Sequence, residues 1–188
     1  MRTICVTVGI VAMMACVTVA GAQQGNLVPN GDFEKGLEGW MFDEIVLPTE
    51  PAISTDMVHG GANALLISNG QSARGIMRSA PFAVEPGKTY RLCVWVKAEG
   101  AAENMVYGRI HWWRDVPGVA SEEKIKDDTE HAGGTFDWKQ LCADVTAPAD
   151  ATMATVRLET GGDTGVLKAD TAGPFWVRSD DVTVTPVQ

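Results

Sequence analysis

The chain is poor in positive charge: 15 Lys and Arg face 24 Asp and Glu, a formal net charge of −9, and no segment gathers the basic residues together. Proteins that hold nucleic acid or anionic lipid by neutralising phosphates concentrate Lys and Arg on one surface, so neither partner is expected. Cysteine is scarce, with four residues and no CxxC or Cys/His cluster, which argues against structural zinc. Histidine occurs only at positions 59, 111 and 131. No GxSxG elbow, HExxH helix or phosphate-binding glycine loop is present. The adjacent carboxylates Glu122-Glu123 and Asp127-Asp128 sit in a polar stretch, not across a cleft as glycoside hydrolysis needs. The chain is therefore read as non-catalytic. Also missing after residue 23 is any sustained apolar spacing at 3.6 residues, the mark of an amphipathic helix.

A long apolar run does occur at the start. Arg2 precedes a weakly polar to apolar stretch from Ile4 to Ala20, and Ala20-Gly21-Ala22 supplies the small residues that a signal peptidase accepts. This reads as a secretory signal over residues 1–22, followed by one domain over 23–188 that is secreted or held in the periplasm or at the cell surface. A membrane anchor is the alternative, disfavoured because the run is short and rich in Thr, Ala and Gly. Lipidation at Cys16 is another, although Met13-Met14-Ala15 lacks the usual Leu. Cys5 and Cys16 leave with the signal, and Cys93 and Cys142 remain as an even pair in an oxidising compartment. A disulfide is thus permitted, with two separate buried thiols as the alternative.

The rest of the chain is a series of short alternating runs bounded by Gly, Pro and Asp, as in an all-β sandwich or barrel. Thr89–Ala98 puts Tyr90, Leu92, Val94 and Val96 on one side and Arg91, Cys93, Trp95 and Lys97 on the other. Met105–Trp113 sets Val106, Ile110 and Trp112 against an outward row of Tyr107, Arg109, His111 and Trp113. Further strands are expected at Lys139–Thr146, Ala151–Thr160 and Phe175–Val187, with earlier ones near Trp40–Leu47, Asn63–Ser68 and Gly75–Val84. The polar segment 115–134 is expected to form a solvated loop or edge hairpin.

Several motifs then fall in a familiar order. Asn30-Gly31-Asp32-Phe33-Glu34 with Gly39-Trp40, His59-Gly60-Gly61-Ala62-Asn63, Gly87-Lys88-Thr89-Tyr90, Phe136-Asp137-Trp138-Lys139-Gln140 and Ser179-Asp180-Asp181-Val182 together resemble carbohydrate-binding modules of the CBM4, CBM9, CBM16 and CBM22 group. The resemblance covers nearly all of residues 26 to 186 and departs at Gly60, where a Ser is usual. It implies a jelly-roll β-sandwich of two antiparallel sheets, galactose-binding-domain-like, that binds a polysaccharide or glycan. It also implies a structural Ca²⁺, with side-chain ligands Glu34 and Asp180 and main-chain oxygens from Asp32 and the turn at 59–63. Hard oxygen donors suit that ion. The alternative is that both carboxylates simply accept hydrogen bonds from loop amides.

Sugar recognition asks for aromatic rings against the C–H face of a pyranose and planar polar groups for its hydroxyls. Tyr107, Arg109, His111 and Trp113 offer that mixture, and Trp95 and Gln140 extend it if their strands share the same sheet. Binding requires Tyr107, Arg109 and Trp113 to be exposed in a groove. A structural or adhesive cell-surface module making protein contacts, with no sugar ligand, is the competing reading, and it predicts a filled or flat face.

Overall fold

The computed structural model describes residues 25–45, 51–69, 75–121, 126–160 and 175–188. The segment expected to be a signal, with Cys5 and Cys16, and the pair Glu122-Glu123 lie outside the described residues. Ten strands form in order: β1 Trp40–Ile45, β2 Ala52–Ser54, β3 Ala64–Asn69, β4 Gly75–Ser79, β5 Phe82–Ala83, β6 Thr89–Trp113, β7 Lys126–Asp128, β8 Ala132–Thr146, β9 Met153–Thr160 and β10 Phe175–Pro186. Every pairing is antiparallel. The fold is the expected all-β jelly-roll sandwich.

β6 is the seam of the sandwich. Its first half pairs with β10 and β8, and its second half pairs with β9 and β7. Between the halves the register against β8 slips three times, from Val96 to Val106, and Gly100 and Asn104 adopt positive φ of 68° and 59°. Bulges of this kind bend a strand and increase its twist. One hydrogen-bonded sheet therefore folds into two layers: β2-β3-β10-β6-β8 and β1-β4-β9-β6-β7, with β5 beside β9. Two strands were expected over this stretch, at 89–98 and 105–113; bending lets one 25-residue strand replace them.

Alternation decides what faces inward. Tyr90, Leu92, Val94, Val96 and Ala98 from the first half of β6, and Val106, Ile110 and Trp112 from the second, are all buried in one cluster with Leu141, Val156, Leu158, Val177, Val182 and Val184. Burying each Val- or Leu-sized side chain contributes about 1.5–3 kcal/mol. Gly108 lies in the same inward row, and a Cβ there would stand 3.2 Å from Val94 of the other half-strand. The absent side chain lets the two layers close.

The ends of the domain are stitched together. Leu27 N donates to Val184 O at 2.9 Å and Val182 N to Gly31 O at 2.8 Å. The Asn26 amide donates to Val182 O and accepts from Val184 N, both at 2.9 Å. Asn30 and Phe33 turn the chain with φ of 49° and 54°, and Asn30 fixes that turn by donating to Gly36 O and Glu38 O. Phe33 is thereby buried against Trp40, ring centres 5.0 Å apart.

Of the two forms expected for segment 115–134, the edge hairpin is seen: β7 pairs with β6, while β8 begins at Ala132, well before the expected Lys139. Strict alternation from Val182 and Val184 would put Asp180 on their inward side, but it does not lie there. It stands opposite Trp95, and an irregularity at Asp181, φ 45°, shifts the register before Thr183 meets Cys93. Asp180 is nonetheless fully buried, because the 59–60 turn covers it.

Candidate functional site

The outward side of the second layer is a polar face built from five strands. Residues directly opposite on antiparallel neighbours project to the same side. One rung crosses the face as Met41, Arg78, Arg157, Arg109 and Asp128. The next holds Ile76, Glu159 and Tyr107, and on the other side His111 stands between Thr155 and Lys126, with Trp113 beyond it.

Within it lies a buried ionic network. Glu159 accepts from the Tyr107 hydroxyl at 2.8 Å and from Arg109 Nη1 at 3.2 Å. Arg109 also donates through Nε and Nη2 to the two oxygens of Asp128, the latter at 2.8 Å. The two carboxylates hold the Arg109 guanidinium above its usual range although burial opposes its charge, and Arg109 holds the Asp128 carboxyl below its own against the same opposing burial. His131 stacks on Tyr107 at 4.0 Å and 7°, and its Nε2 lies 3.4 Å from Asp128.

The expectation of exposure fails for two residues. Tyr107 is 1% and Arg109 2% exposed, because segment 126–131 lies across them. His111 and Trp113 remain half-buried at the surface of the same stripe, and Trp113 Nε1 donates to Thr155 Oγ1 at 3.1 Å. His111 Nε2 is buried with no hydrogen-bond partner among the described residues. Its pKa is pushed down to about 3, first by desolvation and then by Arg157, Arg109 and Lys126, so the ring is neutral. A neutral imidazole can donate through one nitrogen and accept through the other.

Trp95 and Gln140 do not extend this surface. They face each other in register on the outward side of the first layer, across the sandwich. Trp95 is covered there by His59, ring centres 3.8 Å apart, and Trp138 meets His59 edge-on at 5.6 Å. Cys93 and Cys142 are also opposite one another on this side, with Sγ atoms at 2.09 Å. Arg91 and Asp144 flank them in a bidentate ion pair at 2.7 Å, over a shallow depression that Gln140 also lines.

The calcium candidates converge on one turn. Glu34 Oε1 accepts from Ala62 N at 2.8 Å and Asn63 N at 3.0 Å, and Asp32 Oδ1 accepts weakly from Glu34 N at 3.4 Å. Asp180 accepts from His59 N, Gly60 N and Asp181 N at 2.8–3.1 Å. Loop amides thus do bond both carboxylates. Asp180 has no ion pair among the described residues, and desolvation raises its pKa to about 6. A buried carboxylate without a cationic partner is costly, and an all-oxygen set fits a hard cation. No group of three metal-holding His, Cys, Asp or Glu side chains occurs among the described residues, so such an ion would lean on main-chain carbonyls.

A model of the carbohydrate binding domain family matches residues 25–171. The chain belongs to that family. Among solved structures, a family 16 carbohydrate-binding module aligns over 85% of this chain and 99% of its own length, at 20% identity and TM-score 0.59. The CBM22-2 xylan-binding domain from Paenibacillus barcinonensis Xyn10C aligns over 84% and 98%, at 17% identity and TM-score 0.55. A tailspike protein 4 enzymatically active domain from bacteriophage CBA120 reaches TM-score 0.63 at 13% identity; the chain covers 86% of itself but only 21% of that protein. No curated protein matches in sequence. Carbohydrate-binding domains are typically non-catalytic and usually extracellular. No helix among the described residues is long and apolar enough to cross a membrane.

Alternation within β6 identifies one strand of the polar face of this carbohydrate-binding domain and not its neighbours: Arg78, Arg157 and Glu159 have no place in the stripe until β4 and β9 pair, and Asp128 reads only as one of two adjacent carboxylates. The alternation shows each strand's outward row; no local pattern says that β4 and β9 lie beside β6.

Proposed function

We propose that this carbohydrate-binding domain is a non-catalytic, exported binder of polysaccharide, and that it recognises its ligand on the outward face of the second layer. The observation that carries the reading is the rigid ionic network of Tyr107, Glu159, Arg109 and Asp128 set beneath a half-exposed row of Arg157, His111 and Trp113. Fully satisfied buried polar networks hold side chains in fixed geometry, and fixed polar groups beside an indole are what an oriented sugar ring requires. Tyr107 and Arg109 act from beneath, as supports. The xylan binding of the Paenibacillus neighbour is consistent with this ligand class.

Affinity electrophoresis against soluble xylans, glucans and mannans tests the reading. Retardation by at least one, reduced in Trp113→Ala, is expected; no retardation by any glycan, with the variant behaving identically, would sink it.

The proposal includes a structural Ca²⁺ held by Glu34 and Asp180, with main-chain oxygens from the neighbouring turns, including Asp32. The burial of Asp180 without a cationic partner among the described residues supports it. Such an ion supplies charge neutralisation and ties the N-terminal turn to β10. Because a ligand bound only to the folded state raises stability, the melting temperature should fall on adding chelator and recover with calcium. An unchanged melting temperature counts against the ion.

A further inference from the structure

Two histidines lie flat on aromatic rings, one on each outward face, and they are held differently. On the first layer His59 stacks on Trp95 with ring centres 3.8 Å apart; its backbone amide donates to Asp180 at 2.9 Å, and its Nδ1 lies 2.7 Å from Asp181 Oδ2. On the second layer His131 stacks on Tyr107 at 4.0 Å with the planes 7° apart, and its Nε2 stands 3.4 Å from Asp128 Oδ2. A hydrogen bond of ordinary length fixes a ring, whereas a contact this long hardly does. The His131 side chain is 31% exposed, and Tyr107 beneath it is buried.

The backbone on either side of His131 is anchored. Thr129 N donates to Gly108 O at 2.9 Å, and Gly108 N returns a bond to Thr129 Oγ1 at 3.1 Å. Asp128 holds Arg109, Asp127 accepts from Trp112 Nε1 at 2.8 Å, and Ala132 pairs with Val106. Uncovering this face of Tyr107 therefore needs no movement of segment 126–131, only rotation of the solvent-facing His131 side chain, and exposed rotamers exchange rapidly. Tyr107 keeps its position when the imidazole leaves, because its hydroxyl donates to Glu159 Oε2 at 2.8 Å and Glu159 also accepts from Arg109.

A flat ring lying parallel on a phenol is the arrangement in which a pyranose presents its C–H face to an aromatic side chain. His131 fills that place with a ring from the chain itself. Tyr107 and Trp113 belong to the same outward row, and the strand between them is about 20 Å long. We propose that this face of Tyr107 is a pyranose subsite that His131 closes in the free protein, and that a bound polysaccharide displaces the imidazole and stacks in its place. The proposal rests on the reading of this outward face as the sugar site, and adds to it a subsite and its gate. With His131 in place Tyr107 is a support beneath the row; with His131 displaced it is a contact. A stacked aromatic pair contributes a factor of roughly two to ten, and closure lowers apparent affinity by about that factor, since only the open fraction binds.

The test is affinity electrophoresis of the full chain against soluble xylans, glucans and mannans, comparing wild type with His131→Ala and His131→Phe. His131→Ala is expected to strengthen retardation about two- to tenfold. His131→Phe keeps a flat ring and loses the nitrogen that faces Asp128, so it should be retarded no more than wild type. Equal or weaker retardation of the Ala variant, the outcome of a merely structural His131, overturns the gate. A gain shared by the Phe variant overturns it too, because ring cover is then not what holds the ligand off. A direct reading comes from the ring C–H signals of the histidines in NMR titrations with xylohexaose, cellohexaose and mannohexaose. The His131 signals, identified by their loss in His131→Ala, should leave their ring-current-shielded positions on binding, while those of His59 on the opposite face stay. Bound sugar with unmoved His131 signals overturns the gate and leaves the sugar site standing. Binding of neither wild type nor His131→Ala to any glycan overturns both.

Discussion

The two outward faces of the sandwich share β6 and treat it in opposite ways. On the first layer the outward row of Arg91, Cys93 and Trp95 is fastened to its neighbours one by one, by a bidentate ion pair, a disulfide and a stacked histidine. On the second layer the outward row of Tyr107, Arg109, His111 and Trp113 joins residues of three other strands into one network, partly roofed by segment 126–131. Pairwise fastening stabilises a surface and leaves little for a ligand to rearrange. The network has at its edge a neutral imidazole whose Nε2 finds no partner among the described residues.

Removing fasteners from the first face should therefore cost stability and spare binding, while changes to the second face should cost both. The largest effect is expected from Cys93→Ala combined with Cys142→Ala. With the partners 49 positions apart in sequence, the chain-entropy model gives a loss of about 4 kcal/mol, measured from urea midpoints, with glycan retardation unchanged. A parallel loss of retardation would break the contrast.

Next comes Glu159→Gln. It takes a charged acceptor from both Tyr107 and Arg109, so about 1.5–3 kcal/mol of stability should be lost, and glycan retardation should weaken with it. Full retardation in a destabilised but folded variant would reduce the network to a structural role.

A smaller effect is expected from pH. The folded-state pKa of His111 is depressed from 6.5 to about 3, so in acid the unfolded chain takes up that proton first. Stability contributed by neutral His111 is complete above about 6.5 and is lost as pH falls toward 3. Asp180, raised to about 6, acts in the opposite direction between there and its ordinary value. The comparison of interest is thus wild type against His111→Gln: the variant should lose less stability over this window in urea titrations at stepped pH. Superimposable profiles would show that His111 titrates normally. Smallest of all, His59→Ala on the first face should cost about 1 kcal/mol through the lost ring contact and leave glycan retardation alone.

Much of the fold is written in alternation. The inward rows of both halves of β6 can be read residue by residue, because each has one side against the core and one away from it. Three things escaped that reading. Asp181 in the left-handed region inserts an extra residue, which moves Asp180 to the side of Trp95; a one-residue irregularity has no periodic signature. Alternation tells outward from inward but not what comes to lie on top, so Tyr107 and Arg109 read as exposed although β7 covers them. The net charge of −9 conceals the rung of Arg78, Arg157 and Arg109, since they become neighbours only when β4, β9 and β6 pair. Where the ligand candidates were legible, as with His111 and Trp113, they lay on a single strand.

The stitching of Asn26, Leu27 and Gly31 to Val182 and Val184 also bears on biogenesis. A ribosome releases residue 26 long before residue 182, and an N-terminal turn waiting for β10 has nothing to hold it. The sandwich can close only once the chain is nearly finished, and pairings of such high sequence separation form slowly. Until then the turn at residues 26–31 lacks the partners of the hydrogen bonds it makes to β10.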